Sequence, residues 1–311
     1  MKMLNGVVRA QQFDKATVEK IFAIAKEMEN NVPPDLLNGK IMASLFYEPS
    51  TRTRFSFELA MLKLGGKVVS TENAREFSSA AKGETLEDSI RTINQYGVDV
   101  IVLRYNKKGG AKRAQKFSKA PIINAGDGPG QHPTQALLDL YTIKKHQGKL
   151  EGLNIALVGD LANGRTVRSL CYFLAKHYPS NVVYLVSPEQ TKMKSDIKNY
   201  MDKYGLAWNE TDNLEFILPR LDIIYQTRVQ KERFNKNTTL YDQALEATDK
   251  LAITDESLKQ MKETVGIMHP LPRNDEIRYS VDKNPRAIYF AQVHNGLFIR
   301  MALLKMILVG Y

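Results

Sequence analysis

Apolar and polar positions follow two alternating patterns along the chain, and these patterns predict helices and strands in turn. Apolar residues at helical spacing predict helices over 15–30, 51–64, 85–96, 131–146, 165–178, 193–203 and 291–309. Short apolar runs predict strands over 40–46, 67–71, 98–104, 121–124, 154–158, 182–186, 222–225 and 265–268. The alternation from end to end predicts an α/β fold with mostly parallel sheets.

A break in this pattern divides the chain. The polar segment 148–152, bounded by glycines, is the best candidate for a linker, and the pattern of strands and helices restarts after it. The length of 311 residues fits two domains of ordinary size. We therefore predict two domains, each a mostly parallel sheet flanked by helices. The polar stretch 226–250 is predicted as a loop with some helix.

The composition is that of an ordinary globular protein, with 43% hydrophobic and 25% charged residues. The net charge of +10 and the pI of about 9.4 permit nucleic-acid binding. However, the lysines are scattered, and no long basic run or zinc-finger pattern occurs. We interpret the charge as solvated surface that also steers anionic substrates, and we expect no nucleic-acid partner. A basic nucleic-acid-binding or nucleotide-binding protein remains the alternative from a different class.

The single cysteine excludes structures that depend on several cysteines. With Cys171 alone, the chain can form neither an intrachain disulfide framework nor a cysteine-based zinc cluster, and its apolar helical context predicts a packing role. Residues 1–10 lack the apolar core of a signal peptide. No apolar run reaches the roughly 18 residues of a membrane span. We therefore expect a cytoplasmic protein with no membrane partner.

The stretch Ser50-Thr-Arg-Thr-Arg54 is the first candidate for chemistry, because it joins a predicted strand to a predicted helix. Ser50 is a good N-cap residue, and an apolar face with helical spacing follows, made of Phe55, Leu59 and Leu62. The first turn of a helix carries partial positive charge and suits a phosphate. Arg54 lies about 200° around the helix from Arg52. We therefore predict a ligand contact for Arg52 and a structural ion pair for Arg54.

Polar clusters also follow most other predicted strands. In parallel α/β folds the carboxyl ends of the strands form the ligand site. These clusters are Arg104, His132–Gln135, 160–165, 226–230 and 269–273. They are rich in arginine and amide groups, which indicates a site for one or more anions. No spacing of His, Asp or Glu predicts a metal site, so we expect no metal.

Several of these residues allow a second interpretation. The segment from Gly159 to Thr166 nearly fits a nucleotide-binding P-loop, but arginine replaces its lysine. His132 is either a helix-start histidine bonded to backbone or, with Gln135, a group that polarises a carbonyl. Arg165 either contacts a ligand or pairs with a carboxylate such as Glu48. The prolines of the 269–273 segment either shape a turn or fix carbonyls that accept bonds from a substrate amide.

Five motifs occur in one order and carry a resemblance to a known family. They are Ser50-Thr-Arg-Thr-Arg54, Gly130-Gln-His-Pro-Thr-Gln135, Gly164-Arg-Thr166, Thr227-Arg-Val-Gln-Lys-Glu-Arg233 and His269-Pro-Leu-Pro-Arg273. Together they resemble the catalytic chains of the aspartate carbamoyltransferase family. The resemblance implies transfer of the carbamoyl group from carbamoyl phosphate to L-aspartate, in pyrimidine synthesis and without a cofactor. It also implies a carbamoyl phosphate domain of residues 1–134 with 291–311, and an aspartate domain of residues 135–290.

The resemblance assigns roles to individual residues. The phosphate would be held by Ser50, Thr51, Arg52 and Thr53. Arg104 would bridge the phosphate and the carbonyl, which His132 polarises with help from Thr53. The carbamoyl amino group would contact Gln135 and the backbone of Leu271 and Pro272. The aspartate carboxylates would contact Lys82, Arg165, Arg228 and Gln230.

The resemblance also implies partners. The family forms trimers whose sites are shared, and Ser78 and Lys82 match loop residues that the neighbouring chain contributes. Some members bind a separate zinc-containing regulatory chain and others do not, so this partner stays open. The related ornithine carbamoyltransferases usually carry cysteine where this chain has Pro270, and they lack the Thr-Arg-Val-Gln segment. Because ornithine is cationic, Arg228 would repel it; ornithine or another amine acceptor remains the alternative within this scaffold.

Overall fold

The computed structural model of the chain describes residues 2–72, 74, 83–230 and 238–311, so the predicted site residues Ser78 and Lys82 lie outside the described part. The chain divides into two compact units. The first consists of Met1–Leu138 with Val293–Tyr311, and the second of Asp139–Gln292.

Helices and strands alternate along the described residues. The α-helices are α1 (Lys15–Asn30), α2 (Thr51–Lys63), α3 (Leu86–Gln95), α4 (Gly110–Gln115), α5 (Pro133–Gln147), α6 (Arg165–His177), α7 (Ser195–Lys203), α8 (Thr238–Asp249), α9 (Asp255–Gln260) and α10 (Tyr289–Leu308). The strands are β1 (Ile41–Phe46), β2 (Lys67–Thr71), β3 (Val100–Tyr105), β4 (Ile122–Asp127), β5 (Asn154–Val158), β6 (Val182–Val186), β7 (Ala207–Thr211), β8 (Ile223–Gln226) and β9 (Gly266–Met268).

Each unit contains one parallel sheet. In the first unit the strand order is β2-β1-β3-β4, and in the second it is β7-β6-β5-β8-β9. From β1 the chain first adds β2 on one side and then β3 on the other. From β5 it likewise builds β6 and β7 on one side before β8. The order therefore reverses between β1 and β3, and again between β5 and β8, and ligands of open parallel sheets bind at such switch points.

The C-terminal helix α10 returns to the first unit, as the family resemblance implies. The amide of Leu4 donates to the carbonyl of Met306 at 2.9 Å, and the buried Arg300 donates from Nη1 to Oγ of Ser56 at 2.7 Å. The predicted α/β fold, with parallel sheets flanked by helices and this returning helix, is confirmed.

The structure corrects the sequence prediction at several elements. It adds helices α4 and α9 and strand β7, and it extends β4 through Asp127, although the sequence predicted that strand to end at Asn124. Strand β7 lies at the edge of its sheet and is largely accessible, which explains its weak apolar pattern. None of the described helices is long and apolar enough to cross a membrane.

Helix α2 forms where the pattern predicts it, but its apolar face is not the buried one. Phe55, Leu59 and Leu62 are 48%, 47% and 54% exposed. The side chains that α2 buries are those of Thr53, Phe57, Ala60 and Met61. We call Phe55, Leu59 and Leu62 the α2 apolar patch.

Cys171 lies on α6 and is completely buried, as its apolar context predicts. Burial raises the pKa of its thiol to about 12, because the thiolate would lose its hydration. We expect the native protein not to react with a thiol-specific disulfide reagent at pH 8, and the unfolded protein to react with one equivalent. Rapid stoichiometric labelling under native conditions would contradict this expectation.

Candidate functional site

The start of α2 has neither a capping side chain nor an acidic residue of its own. Ser50 occupies the N-cap position, but its hydroxyl makes no capping hydrogen bond, and no acidic residue lies in the first turn. Thr51 and Arg52 are exposed at this end of the helix, whereas Thr53 is buried. The partial positive charge of the helix terminus is therefore not balanced by an acidic side chain of its own first turn.

Arg54 has a structural role, as its position around the helix predicts. Its Nη2 lies 2.8 Å from Oε2 of Glu72, and its Nη1 lies 3.6 Å from Oε1 of Glu58. Nη1 also donates to Oγ of Ser70 at 3.5 Å. These contacts connect α2 to the end of β2 and confirm the predicted structural ion pair.

Arg104 lies at the carboxyl end of β3, beside the end of β1. Its carbonyl accepts from the amide of Tyr47 at 2.9 Å, which aligns the two strand ends. The guanidinium donates from Nη1 to the carbonyl of Ala125 at 3.4 Å, and its Nε lies 3.7 Å from Oε2 of Glu48. Because α2 begins directly after β1, the switch point of this sheet brings Arg104 and the start of α2 to the same edge.

His132 is the residue before α5, and its carbonyl accepts from the amides of Gln135 at 3.1 Å and Ala136 at 3.2 Å. Its side chain is 3% exposed, and Nδ1 lies 3.4 Å from Oγ1 of Thr134. The preceding turn is held by Asp127, whose amide donates to the carbonyl of Gln131 at 3.2 Å and whose carbonyl accepts from the amide of Gly130 at 2.9 Å. These contacts leave both interpretations of His132 open.

Two loops come together at the switch point of the second sheet. Gly159 follows β5 with a φ of +105°, and a Cβ at this position would lie 2.2 Å from the carbonyl oxygen of Thr227, which follows β8. The amide of Thr227 in turn donates to the carbonyl of Val158 at 2.8 Å. Only glycine permits this approach, so Gly159 brings the 159–164 and 227–230 loops together.

Asp160 is the residue that sequence reasoning missed at this point. It is completely buried, and it accepts from the amide of Asn163 at 3.1 Å and from the amide of Gln230 at 3.3 Å. Burial raises its pKa, because desolvation outweighs these hydrogen bonds. The sequence feature that could have identified Asp160 is the presence of an acidic residue inside a segment that resembles a P-loop. A buried carboxylate that takes the loop amide of Asn163 is unsuited to a phosphate loop, so the geometry disfavours the nucleotide interpretation.

The predicted aspartate contacts flank Asp160. Arg165 is the first residue of α6, and both it and Arg228 are half-buried. Arg228 donates from Nη1 to the carbonyl of Val229 at 3.2 Å. The second unit therefore presents two guanidinium groups and the Gln230 amide at one sheet edge.

The turn after β9 contains the remaining predicted residues. Leu271 has a φ of +55°, the only positive φ of a non-glycine residue among those described, and the Leu271–Pro272 peptide bond is cis. Nδ1 of His269 accepts from the amide of Leu271 at 2.7 Å, and Nε2 lies 2.8 Å from Oε1 of Glu276. Arg273 is engaged elsewhere, in an ion pair with Asp282. The sequence indicated this turn, but it did not indicate the buried pair of His269 and Glu276.

Comparison with known proteins gives the family. The model of the domain described as "Aspartate/ornithine carbamoyltransferase, carbamoyl-P binding domain" matches residues 6–145, and the companion Asp/Orn binding domain matches residues 151–307. The chain belongs to the aspartate carbamoyltransferase family. Aspartate carbamoyltransferase 1, chloroplastic, of Pisum sativum is 55% identical over 99% of this chain and 80% of its own length. The catalytic subunit of Thermococcus gammatolerans is 45% identical over 98% of both chains.

Solved structures agree with this assignment. Aspartate transcarbamoylase from Trypanosoma cruzi, in complex with carbamoyl phosphate and aspartate, matches with a TM-score of 0.92 at 39% identity, over 98% of this chain and 97% of that chain. The catalytic subunit of the M. Jannaschii enzyme matches with a TM-score of 0.87 at 42% identity, over 98% of each chain. The predicted family and enzyme class, a carbamoyl-group transferase, are confirmed. Among the described residues no group of three or more His, Cys, Asp or Glu side chains could hold a metal ion.

Proposed function

We propose that this chain transfers the carbamoyl group of carbamoyl phosphate to the amine of L-aspartate, giving N-carbamoyl-L-aspartate and phosphate for pyrimidine synthesis. One observation carries the proposal. In each unit, anion-binding residues implied for the substrates lie at the carboxyl ends of the two strands on either side of the switch point. These residues are Ser50–Thr53 and Arg104 at the ends of β1 and β3, and Arg165, Arg228 and Gln230 after β5 and β8. Each switch point is thus lined by groups that bind anions, and both substrates are anions.

The first unit would bind carbamoyl phosphate. Ser50, Thr51, Arg52 and Thr53 would hold the phosphate at the uncapped start of α2, where amide groups and a guanidinium favour negative charge. Arg104, at the adjacent strand end, would bridge the phosphate and the carbonyl. His132, assisted by Thr53, would stabilise the negative charge that develops on the carbonyl oxygen. Gln135 and the backbone of Leu271 and Pro272 would hold the carbamoyl amino group.

The second unit would bind aspartate through Arg165, Arg228 and Gln230, with Lys82 from a neighbouring chain. The attacking amine must be unprotonated, so its proton leaves before attack. A bond forms from the amine nitrogen to the carbonyl carbon, and the tetrahedral intermediate collapses as its bond to the phosphate oxygen breaks. The phosphate can take the remaining amine proton as it leaves. Catalysis would rest on orientation and charge stabilisation, with no cofactor.

Asp160→Asn should weaken aspartate binding selectively. An amide offers one acceptor atom where the carboxylate offers two, so the amide of Asn163 or that of Gln230 loses its partner. We expect the KM for aspartate to rise about tenfold and the KM for carbamoyl phosphate to change less than about twofold. Asp212→Asn, at an exposed carboxylate of the same unit, is the control. Equal changes in the two KM values would contradict the prediction.

The same substitution should change the pH dependence of stability. Because the pKa of Asp160 is raised in the folded state, the native protein binds more protons than the unfolded chain between the two pKa values. This group therefore lowers the free energy of unfolding as the pH rises through that interval. We expect this loss to be absent from Asp160→Asn, as measured by urea denaturation at a series of pH values.

We further propose a homotrimer whose sites are shared, with Ser78 and Lys82 supplied by the neighbouring chain. The α2 apolar patch supports this arrangement, because it lies on the helix that begins at the proposed phosphate site. Burial of this patch against a neighbouring chain would remove apolar surface from water beside the proposed phosphate site.

Two further expectations concern partners and location. A zinc-containing regulatory chain remains an open alternative, which mass measurement of the complex isolated from its source would decide. A cytoplasmic location stays a prediction from the sequence. The pea and Arabidopsis relatives are named chloroplastic, so an organelle is the competing location. Cell fractionation with an antibody to this chain would distinguish the two.

The reaction itself is tested by an acceptor panel. The purified chain would be incubated with carbamoyl phosphate and either L-aspartate or L-ornithine, and the carbamoylated product would be measured. We expect turnover of aspartate and none of ornithine, because Arg228 repels a cationic side chain. Turnover of ornithine alone would keep the enzyme class and overturn the acceptor. Binding of nucleic acid at physiological salt without carbamoyl transfer would favour the alternative class.

A further inference from the structure

We propose that His269 and Glu276 are positioning residues that hold the Leu271–Pro272 turn in one conformation. In this conformation the turn selects carbamoyl phosphate over acyl phosphates that lack an amino group. The inference rests on the proposed function, in which backbone groups of this turn contact the carbamoyl amino group. Neither side chain is assigned a contact with substrate. Their action would be transmitted through the amide of Leu271.

The hydrogen bonds determine the protonation state of the imidazole. The amide of Leu271 is a donor, so Nδ1 of His269, at 2.7 Å, must be an acceptor and carries no proton. The proton of the neutral ring is therefore on Nε2, which donates to Oε1 of Glu276 at 2.8 Å. A ring protonated on both nitrogens would present a donor to a donor. Since Nδ1 is occupied, His269 is placed as a support for the backbone and not as a base.

Glu276 supplies the acceptor for the proton on Nε2 of His269, and its side chain is buried beside that imidazole. The amide of Asn274 lies 3.1 Å from each carboxylate oxygen. The carboxylate thus accepts from the amide of Asn274 and also orients the imidazole that accepts from the amide of Leu271.

Leu271 needs this support because of its backbone conformation. A φ of +55° is in the left-handed region, which costs free energy for any residue with a Cβ and persists only where contacts impose it. Without the acceptor at Nδ1, the residue would relax toward the extended region. That relaxation would rotate the peptide groups on both sides of Leu271, including the carbonyls proposed to face the carbamoyl amino group.

A buried chain of hydrogen bonds anchors the other side of His269. Its amide donates to Oε1 of Gln292 at 3.0 Å, and Nε2 of Gln292 donates to Oδ1 of Asp139 at 2.7 Å. The hydroxyl of Tyr225 donates to the second oxygen of Asp139 at 2.9 Å. All four side chains are at most 1% exposed. These hydrogen bonds fix the backbone of His269, and its imidazole in turn fixes the position of the Leu271 amide.

The test uses two substitutions, and each keeps one of the two hydrogen bonds that the imidazole makes. His269→Asn places an amide oxygen near the position of Nδ1 and can still accept from Leu271. His269→Gln places an amide nitrogen near the position of Nε2 and can still donate to Glu276, but it removes the acceptor. Binding of carbamoyl phosphate, acetyl phosphate and inorganic phosphate to each full-length enzyme would be measured by calorimetry. Acetyl phosphate has a methyl group where carbamoyl phosphate has the amino group.

We expect His269→Gln to lose at least tenfold in affinity for carbamoyl phosphate, with changes below about threefold for the other two ligands. Its preference for carbamoyl over acetyl phosphate should fall at least about threefold, whereas His269→Asn should retain most of this preference. Glu276→Gln, whose amide oxygen still accepts from Nε2, should resemble His269→Asn. Unchanged phosphate binding shows that the variants are folded, and a merely structural defect would weaken all three ligands together.

Three results would overturn the inference. They are equal losses for all three ligands in His269→Gln, an unchanged preference for carbamoyl phosphate in His269→Gln, and a loss in His269→Asn as large as that in His269→Gln. A wild-type enzyme that binds phosphate but shows no preference for carbamoyl over acetyl phosphate would also overturn it. If the wild type neither binds carbamoyl phosphate nor turns it over, the proposed function fails first, and this result is distinct from the others.

Discussion

Arg52→Ala and Lys82→Ala variants, each nearly inactive alone, are expected to regain activity when their subunits are mixed. Arg52 would hold the phosphate in one chain, while Lys82 would reach the same site from its neighbour. Loss of either cationic contact should lower kcat about a thousandfold. In randomly mixed trimers about a quarter of the sites combine an intact Arg52 with an intact Lys82 from the adjacent chain, so about a quarter of wild-type activity should return.

The control for this experiment is a mixture of Arg52→Ala with Arg104→Ala. Both arginines belong to the same unit of the same chain, so no mixed trimer can assemble an intact site from these two variants. Activity would be measured after co-expression, which guarantees mixing. Recovery in the control mixture, or none in the Arg52→Ala and Lys82→Ala mixture once mixed trimers are shown by mass, would reject the shared site.

Leu59→Glu is expected both to separate the subunits and to abolish activity. Leu59 lies in the middle of the α2 apolar patch and is 47% exposed in the single chain. If the patch is buried between chains, a carboxylate there loses its hydration without gaining a partner, which costs several kcal/mol per contact. The dissociation constant of the trimer should then rise about a hundredfold or more. Light scattering would measure the mass, and activity should fall in parallel.

Phe216→Glu is the matched control for this substitution. Phe216 is 68% exposed in the second unit, and the change in charge and polarity is the same. We expect it to leave both the mass and the activity of the enzyme unchanged. A Leu59→Glu variant that stays trimeric and active would show that the patch is not the subunit contact. A monomeric variant with full activity would instead reject the proposed sharing of the site.

Much of the architecture follows from local patterns. The strand before Ser50, the helix after it and the restart of the pattern beyond residue 152 depend on nearby side chains, and the structure has these elements. The prediction for Arg54 also succeeded, because a helix places residues around its axis in a known way. Strand β7 escaped detection because a half-exposed edge strand has little apolar pattern. The candidate site followed from the rule that parallel strands bring their carboxyl ends to one edge.

The sequence by itself determined the alternation of elements, the two-domain α/β class and the concentration of anion-binding groups after the strands. Only the tertiary structure decided which face of α2 is buried, because periodicity shows that a helix has an apolar face but not what that face meets. It also decided the partners of Asp160 and His269. Asp160 reaches Gln230 across 70 positions of sequence, through a contact that depends on the order β5-β8. Hydrogen bonds between distant residues depend on distance in space, and that distance is established only when the sheets have formed.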